Sequence, residues 1–384
     1  MRRLGTAILV ATAAAVLPVT AAPAAPDAGQ AATAFPTLKV TKLVSGLDIP
    51  WDVKNLPDGR LLIGERTKKR LIVWHNSSKR VLSFPANIWA SGETGLMGLE
   101  VDPNFAANRR IYTCQGGYTS SGGHDVRVVA WRMNTTYTAV EKVRTLVSGF
   151  PTSSGRHGGC RLLITKNGAL MVGTGDAAIG TNPQNLHSFG GKTLRLSRVT
   201  GAPYPGNKWR SSSSKAARYL YTYGHRNVQG LAQRWDGTLW SVEQGTYRDD
   251  EVNKLVFGGN YGYNPVPGYN ESVPMTDPGL PGPQIAAKWS SGDPTLATSG
   301  GTFVHGTKWG DYNGTLAVAA LKAGRVVFLK LSAGGNLVWT RTPSELQSYG
   351  RLRSVTVASN DDLLITTSNG SDGDYVLRVS PAAG

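Results

Sequence analysis

Ser154-Gly155-Arg156-His157-Gly158-Gly159 sets one histidine among small residues. An imidazole titrates near neutrality, so His157 is a candidate general base. A second run, Gly224-His225-Arg226-Asn227, crowds polar groups just before a strand–turn–strand centred on Trp235-Asp236-Gly237. Arg351 and Arg353 stand two apart, which puts both on one face of a strand and suits a carboxylate or phosphate. Lys322 adds a further cation after a strand. Asp249-Asp250-Glu251 sets three carboxylates side by side, and they repel unless they lie in water or meet a hard cation such as calcium. No EF-hand loop is present, so a calcium site would draw on separate loops. The plainer alternatives are a structural histidine, a solvated basic face and a solvated acidic loop.

These residues need a scaffold that gathers distant segments. The chain opens with Arg2-Arg3, an apolar stretch from Leu4 to Val19, and Ala22-Pro23-Ala24. That is the form of a secretory signal peptide, expected over 1–28. A linker over 29–36 and a single domain over 37–384 follow. No later run is long and apolar enough for a membrane span. The 47 Gly, 21 Pro and near-two periodicity predict all-β structure. A formal charge of +16 favours an anionic partner. Export argues against nucleic acid, and a small polyanionic cofactor or an acidic cell wall fits better. Cys114 and Cys160 allow a local disulfide in an exported chain.

A unit of strand, Asp/Asn/Gly turn and strand recurs six times. It appears at Trp51–Ile63, Gly98–Thr113, Arg161–Val172, around Trp235, at Thr302–Val318 and at Val355–Ile365. Six such units predict a six-bladed β-propeller of four-stranded antiparallel blades, whose loops converge at one end of the axis. A large sandwich is the other all-β reading. Leu337–Trp339 and Val376–Val379 read as outer strands. Loops 201–218 and 265–283 read as pocket rims.

Taken together, the motifs resemble the soluble quinoprotein sugar dehydrogenases of the glucose/sorbosone dehydrogenase family. The matching pieces are Leu56-Pro57-Asp58-Gly59, Gly95-Leu96-Met97-Gly98, His157-Gly158-Gly159, Gly224-His225-Arg226-Asn227, Glu243-Gln244-Gly245 and Gly350-Arg351-Leu352-Arg353. The resemblance implies a six-bladed propeller using pyrroloquinoline quinone (PQQ) and calcium. It implies that His157 takes the anomeric hydroxyl proton of an aldose while hydride passes to the quinone. Arg226 and Asn227 match the residues contacting the quinone carbonyls, and Lys322, Arg351 and Arg353 those holding its carboxylates. Asp176 and Asp250 match pocket carboxylates near the base. Gly245 and Thr246 match carbonyl ligands of the cofactor-linked Ca2+, and Glu251 and Tyr261 ligands of a second, structural one. Three positions depart from the pattern: Glu93 replaces a glutamine, Thr246 a proline and Val228 a proline.

The expected activity is oxidation of aldose sugars to lactones, with an external electron acceptor. The competing readings are a metal-dependent propeller lactonase and a non-catalytic propeller that binds glycan or protein. The sequence leaves the oligomeric state open. No hydrolase elbow, Walker loop, dinucleotide fingerprint or His-Glu-x-x-His zinc motif occurs.

Overall fold

The structure is a computed structural model and describes residues 34–382. The leader expected at 1–28 lies outside the described residues. Among the described residues there are six four-stranded antiparallel sheets, the blades of a propeller. Blade 1 spans 50–81, blade 2 spans 96–150, blade 3 spans 159–223 and blade 4 spans 228–290. Blade 5 spans 298–341. Blade 6 takes three strands from 352–381 and its outermost from Leu38–Leu47, which pairs antiparallel with Asp374–Pro381. Each repeated sequence unit falls on the first two strands of a blade. Leu337–Arg341 is an outermost strand as expected, but Asp374–Pro381 is third in its blade because the N-terminal strand covers it.

The inner strands are Pro50–Asn55, Leu96–Val101, Gly159–Ile164, Val228–Gln233, Thr298–Phe303 and Leu352–Val357. Valine, leucine and isoleucine supply the flat apolar surfaces that neighbouring blades bury against each other. The second strand of blade 3, Ala169–Thr174, is buried along its whole length. Trp51, Trp131, Trp240 and Trp309 are also enclosed. All six inner strands carry a register shift near their start, for example between Gly159 and Arg161 and between Val228 and Gly230. A bulge sharpens the local twist and re-aims side chains. Here it does so at the end of the axis where the candidate residues gather.

Cys114 and Cys160 form a disulfide, with Cα atoms 5.5 Å apart. It ties the second strand of blade 2 (Arg110–Tyr118) to the start of blade 3, just after His157. Loop 201–218 is not a rim of this end. It joins the outer strands of blade 3 at the far end of the axis, where Tyr204 reaches Asn167 in the turn between the first two strands. The loop after Glu251–Leu255 behaves differently. It climbs beside Tyr223 and Gly224 and crosses the candidate site. No helix among the described residues is long and apolar enough to cross a membrane.

Candidate active site

His157 ends the loop entering blade 3 and has a left-handed backbone, with φ of 51°. Non-glycine residues rarely hold that conformation, and such strain gathers at functional sites. Its backbone N–H donates to Glu93 Oε2 at 3.0 Å. Its ring is nearly buried, and Nδ1 lies 2.8 Å from Asp176 Oδ1. Asp176 follows the second strand of the same blade. A Cβ on the preceding Gly175 would sit 1.8 Å from the His157 carbonyl, so only glycine permits this approach. The Tyr269 hydroxyl donates to Asp176 Oδ2 at 2.7 Å and lies 3.0 Å from Nδ1. Burial and the charge of Asp176 push the Tyr269 phenol far up, so it remains a donor. A carboxylate at Nδ1 favours the proton there and leaves Nε2 as the acceptor. Among the described residues nothing bonds Nε2.

Arg226 and Asn227 lead into blade 4. The Arg226 backbone N–H donates to Glu243 Oε2 at 3.0 Å and its Nη1 to the Gln244 carbonyl at 3.2 Å. Nη2 pairs with Glu271, which also pairs with Arg156. Asn227 Oδ1 accepts from Gly159 N–H and from Gln229 Nε2, both at 3.1 Å. That fixes the amide so that its N–H donors face Glu93 and Gln244, at 3.4 and 3.3 Å.

The charge beside this pair is unbalanced. Arg353 is buried, donating to Ser368 Oγ at 3.2 Å and to Gln229 Oε1 at 3.3 Å. Burial and the nearby Arg66, Arg161 and Arg351 push its guanidinium down to about 9, against the pull of Glu93. Arg161 stacks 4.1 Å over the Trp51 ring and pairs with Asp52 at 2.8 Å. The buried Nε of Arg66, Nη2 of Arg161 and Nε of Arg226 have no hydrogen-bond partner. Buried donors are normally satisfied. A cluster of cations with orphaned donors is a cradle for a ligand carrying several negative charges.

The glucose/sorbosone dehydrogenase family model matches residues 47–377. The chain belongs to that family. The aldose sugar dehydrogenase YliI of Escherichia coli is 29% identical over 357 residues, covering 90% of this chain and 93% of the relative. The PQQ-bound aldose sugar dehydrogenase of Streptomyces coelicolor superposes with a TM-score of 0.74 at 26% identity, over 91% of this chain and 100% of that one. The apo-form soluble aldose sugar dehydrogenase of E. coli gives a TM-score of 0.81 at 27% identity, over 90% and 100%.

Within this family member, the structure joins His157, Asp176, Arg226, Asn227 and Arg353 in one hydrogen-bonded region. Arg351 and Lys322 are exposed on the same rim, where a Cβ on Gly324, in the Lys322 turn, would lie 2.9 Å from the Gly350 carbonyl. Asp250 is not joined to the base. Its carboxylate accepts from Gly245 N–H, Thr295 and Ser291 hydroxyls, and the Leu296 and Ala297 N–H groups, which fold loop 291–297 around it.

The Gly245 and Thr246 carbonyls accept no hydrogen bond among the described residues. They follow Gln244, whose carbonyl binds Arg226, so they are free oxygen donors beside the site and fit a calcium ion. Glu251 and Tyr261 are not free in this way. The Tyr261 hydroxyl donates to the Lys254 carbonyl and accepts from Val256 N–H, and its own carbonyl accepts from Thr276. Glu251 faces Glu243 across the sheet, and Asn253 bridges them. Burial and Glu243 hold its carboxyl well above the usual range. Among the described residues no cluster of three or more acidic, histidine or cysteine side chains is set to hold a metal.

Sequence reasoning marked Gln229 with His225, Arg226 and Asn227 as polar groups crowded at a strand end, but gave no role to Tyr269, Glu271, Arg66 or Arg161. Arg66 follows the second strand of blade 1, as Asp176 does in blade 3, so repeat position was an available signal. For Tyr269 and Glu271 only the length of their loop pointed to the site.

Proposed function

We propose that this chain is an exported quinoprotein that oxidises the anomeric hydroxyl of aldose sugars to lactones. The observation that carries the reading is the pairing of an open, carboxylate-oriented imidazole with a cradle of under-neutralised arginines. His157 Nε2 accepts the hydroxyl proton, and Asp176 orients the ring and stabilises the charge it gains. Oxidation of a cyclic aldose to a lactone removes the hydrogen on C1, with its electron pair, and the hydrogen on the C1 hydroxyl, and the hydroxyl hydrogen is the proton that His157 takes. The unpartnered Nε of Arg226 and, on giving up its long contacts to Glu93 and Gln244, the Asn227 amide would offer N–H donors to quinone oxygens, and Arg353, Arg351 and Lys322 would hold carboxylates. PQQ, when bound, supplies the two-electron acceptor, and an external acceptor then reoxidises it. The free Gly245 and Thr246 carbonyls would hold its calcium. The leader at 1–28 and the disulfide support export.

The test is a PQQ titration with calcium, followed by protein fluorescence, then dye reduction with a panel of aldoses. Saturable binding and sugar-dependent dye reduction are expected. A parent protein that binds no PQQ and oxidises no aldose would leave the binding-propeller reading in its place.

A further inference from the structure

Lys192 begins the third strand of blade 3 (Lys192–Ser197) and is completely buried. No carboxylate forms an ion pair with it among the described residues. Its Nζ instead donates to the carbonyls of Asn182 at 2.6 Å, Pro183 at 3.0 Å and Gly190 at 2.5 Å. An ammonium has three protons, and these three carbonyls use all of them. Burying a charge that no carboxylate touches is costly, and burial pushes this ammonium down to about 7, against the pull of the nearby Asp176 charge. A group retained against that cost has work to do, and its partners show what the work is.

The three carbonyls lie on both limbs of the loop that opens with Asp176. Asn182 Nδ2 donates to the Asp176 carbonyl at 2.8 Å, and Asn182 Oδ1 accepts from Ser188 at the same distance. The Pro183 carbonyl also accepts from Gly224 N–H at 3.0 Å, and Gly191 O accepts from His225 N–H at 3.1 Å. Asp176 N–H donates to the Arg226 carbonyl at 2.8 Å. The cage thus joins the Asp176 loop to the segment that delivers Arg226.

We propose that Lys192 is a positioning residue, an internal cation ringed by carbonyls as a bound metal ion would be, which fixes Asp176 relative to Arg226. The effect on turnover rests on the reading of His157 and Asp176 as the proton acceptor. The effect on the loop does not.

Lys192→Met keeps the length and removes the charge. In cofactor-free protein, amide exchange is expected to quicken at 177–191 while blades 5 and 6 stay protected. The loaded enzyme is expected to lose about 10²-fold in kcat, the scale of a small misplacement of a reacting group, with PQQ affinity little changed. In Lys192→Ala, millimolar methylammonium is expected to restore both loop protection and part of kcat. Unchanged exchange at 177–191, or exchange raised alike in all six blades, would overturn the proposal. If both variants fail to fold, nitrogen NMR of the unmodified protein decides. A slowly exchanging ammonium at pH 6 supports the cage, and a neutral amine there ends it. A parent that oxidises no aldose would sink the proposed function, while the exchange result would still judge Lys192.

Discussion

Blades 3 and 4 each carry a buried histidine just before the inner strand and a carboxylate at the end of the second strand. His157 meets Asp176 and His225 meets Glu243, both through Nδ1 at 2.8 Å. The two pairs differ at the other nitrogen. His225 Nε2 is bonded to the Thr222 hydroxyl at 2.8 Å, and its ring stacks on Tyr261 with centroids 4.5 Å apart. His157 Nε2 is open. Glu243 then spends its second oxygen on the Arg226 backbone, so the closed pair supports the open one. A histidine–carboxylate pair is therefore not a reactive unit by itself. The unfilled nitrogen, with orphaned arginine donors beside it, separates chemistry from scaffolding.

The comparison breaks most visibly at His157. His157→Ala is expected to retain PQQ affinity and lose about 10²–10⁴-fold in kcat. Full turnover on a sugar that the parent oxidises would remove the base assignment. Asp176→Asn removes the charge that stabilises the protonated ring and replaces one acceptor oxygen by a donor, which favours the wrong tautomer, and is expected to lose about 10²-fold in kcat, read from saturation kinetics. His225→Leu leaves Glu243 short of a buried donor and is expected to cost about 3 kcal/mol in denaturant unfolding. A larger loss of kcat than in His157→Ala would erase the distinction between the pairs.

The smallest effect concerns Arg353. Burial and the neighbouring cations push its guanidinium down to about 9 in the folded protein, against an ordinary value of 12.5. Between those values the unfolded chain binds more protons, so this group's contribution to stability improves as pH rises and is lost as pH falls through about 9. Cofactor-free parent should therefore gain melting temperature relative to Arg353→Gln between pH 8 and 10. The same variant should bind PQQ about tenfold more weakly, the loss of a single charge-assisted contact. A difference in melting temperature that stays flat with pH would show that the cluster is already neutralised.

Much of this was legible because it is local. Asp-Gly and Asn-Gly turns between apolar strands marked the first two strands of blades 1, 3, 4 and 5, Asp/Asn-rich turns those of blades 2 and 6, and glycine-flanked His157 and the Arg226-Asn227 pair stood out by type. Pairing of Leu38–Leu47 with Asp374–Pro381 has no local signal, since the partners lie at opposite ends of the described chain. Asp250 misled for the same reason. Its neighbours Asp249 and Glu251 suggested a need for cations, but donors from 291–297 satisfy it. Tyr269 and Glu271 sit in a segment without periodicity, so its length marked a rim but nothing singled out these two residues within it.

The borrowed strand of blade 6 also imposes an order on biogenesis. The strand made first, Leu38–Leu47, has no sheet to join until the last one, Asp374–Pro381, has been synthesised. Ring closure thus awaits the whole chain, and such non-local pairing is slow to form. If the chain is exported as proposed, this would keep the domain open until translocation is nearly finished, and cofactor would be captured only after closure has brought the first and last blades together.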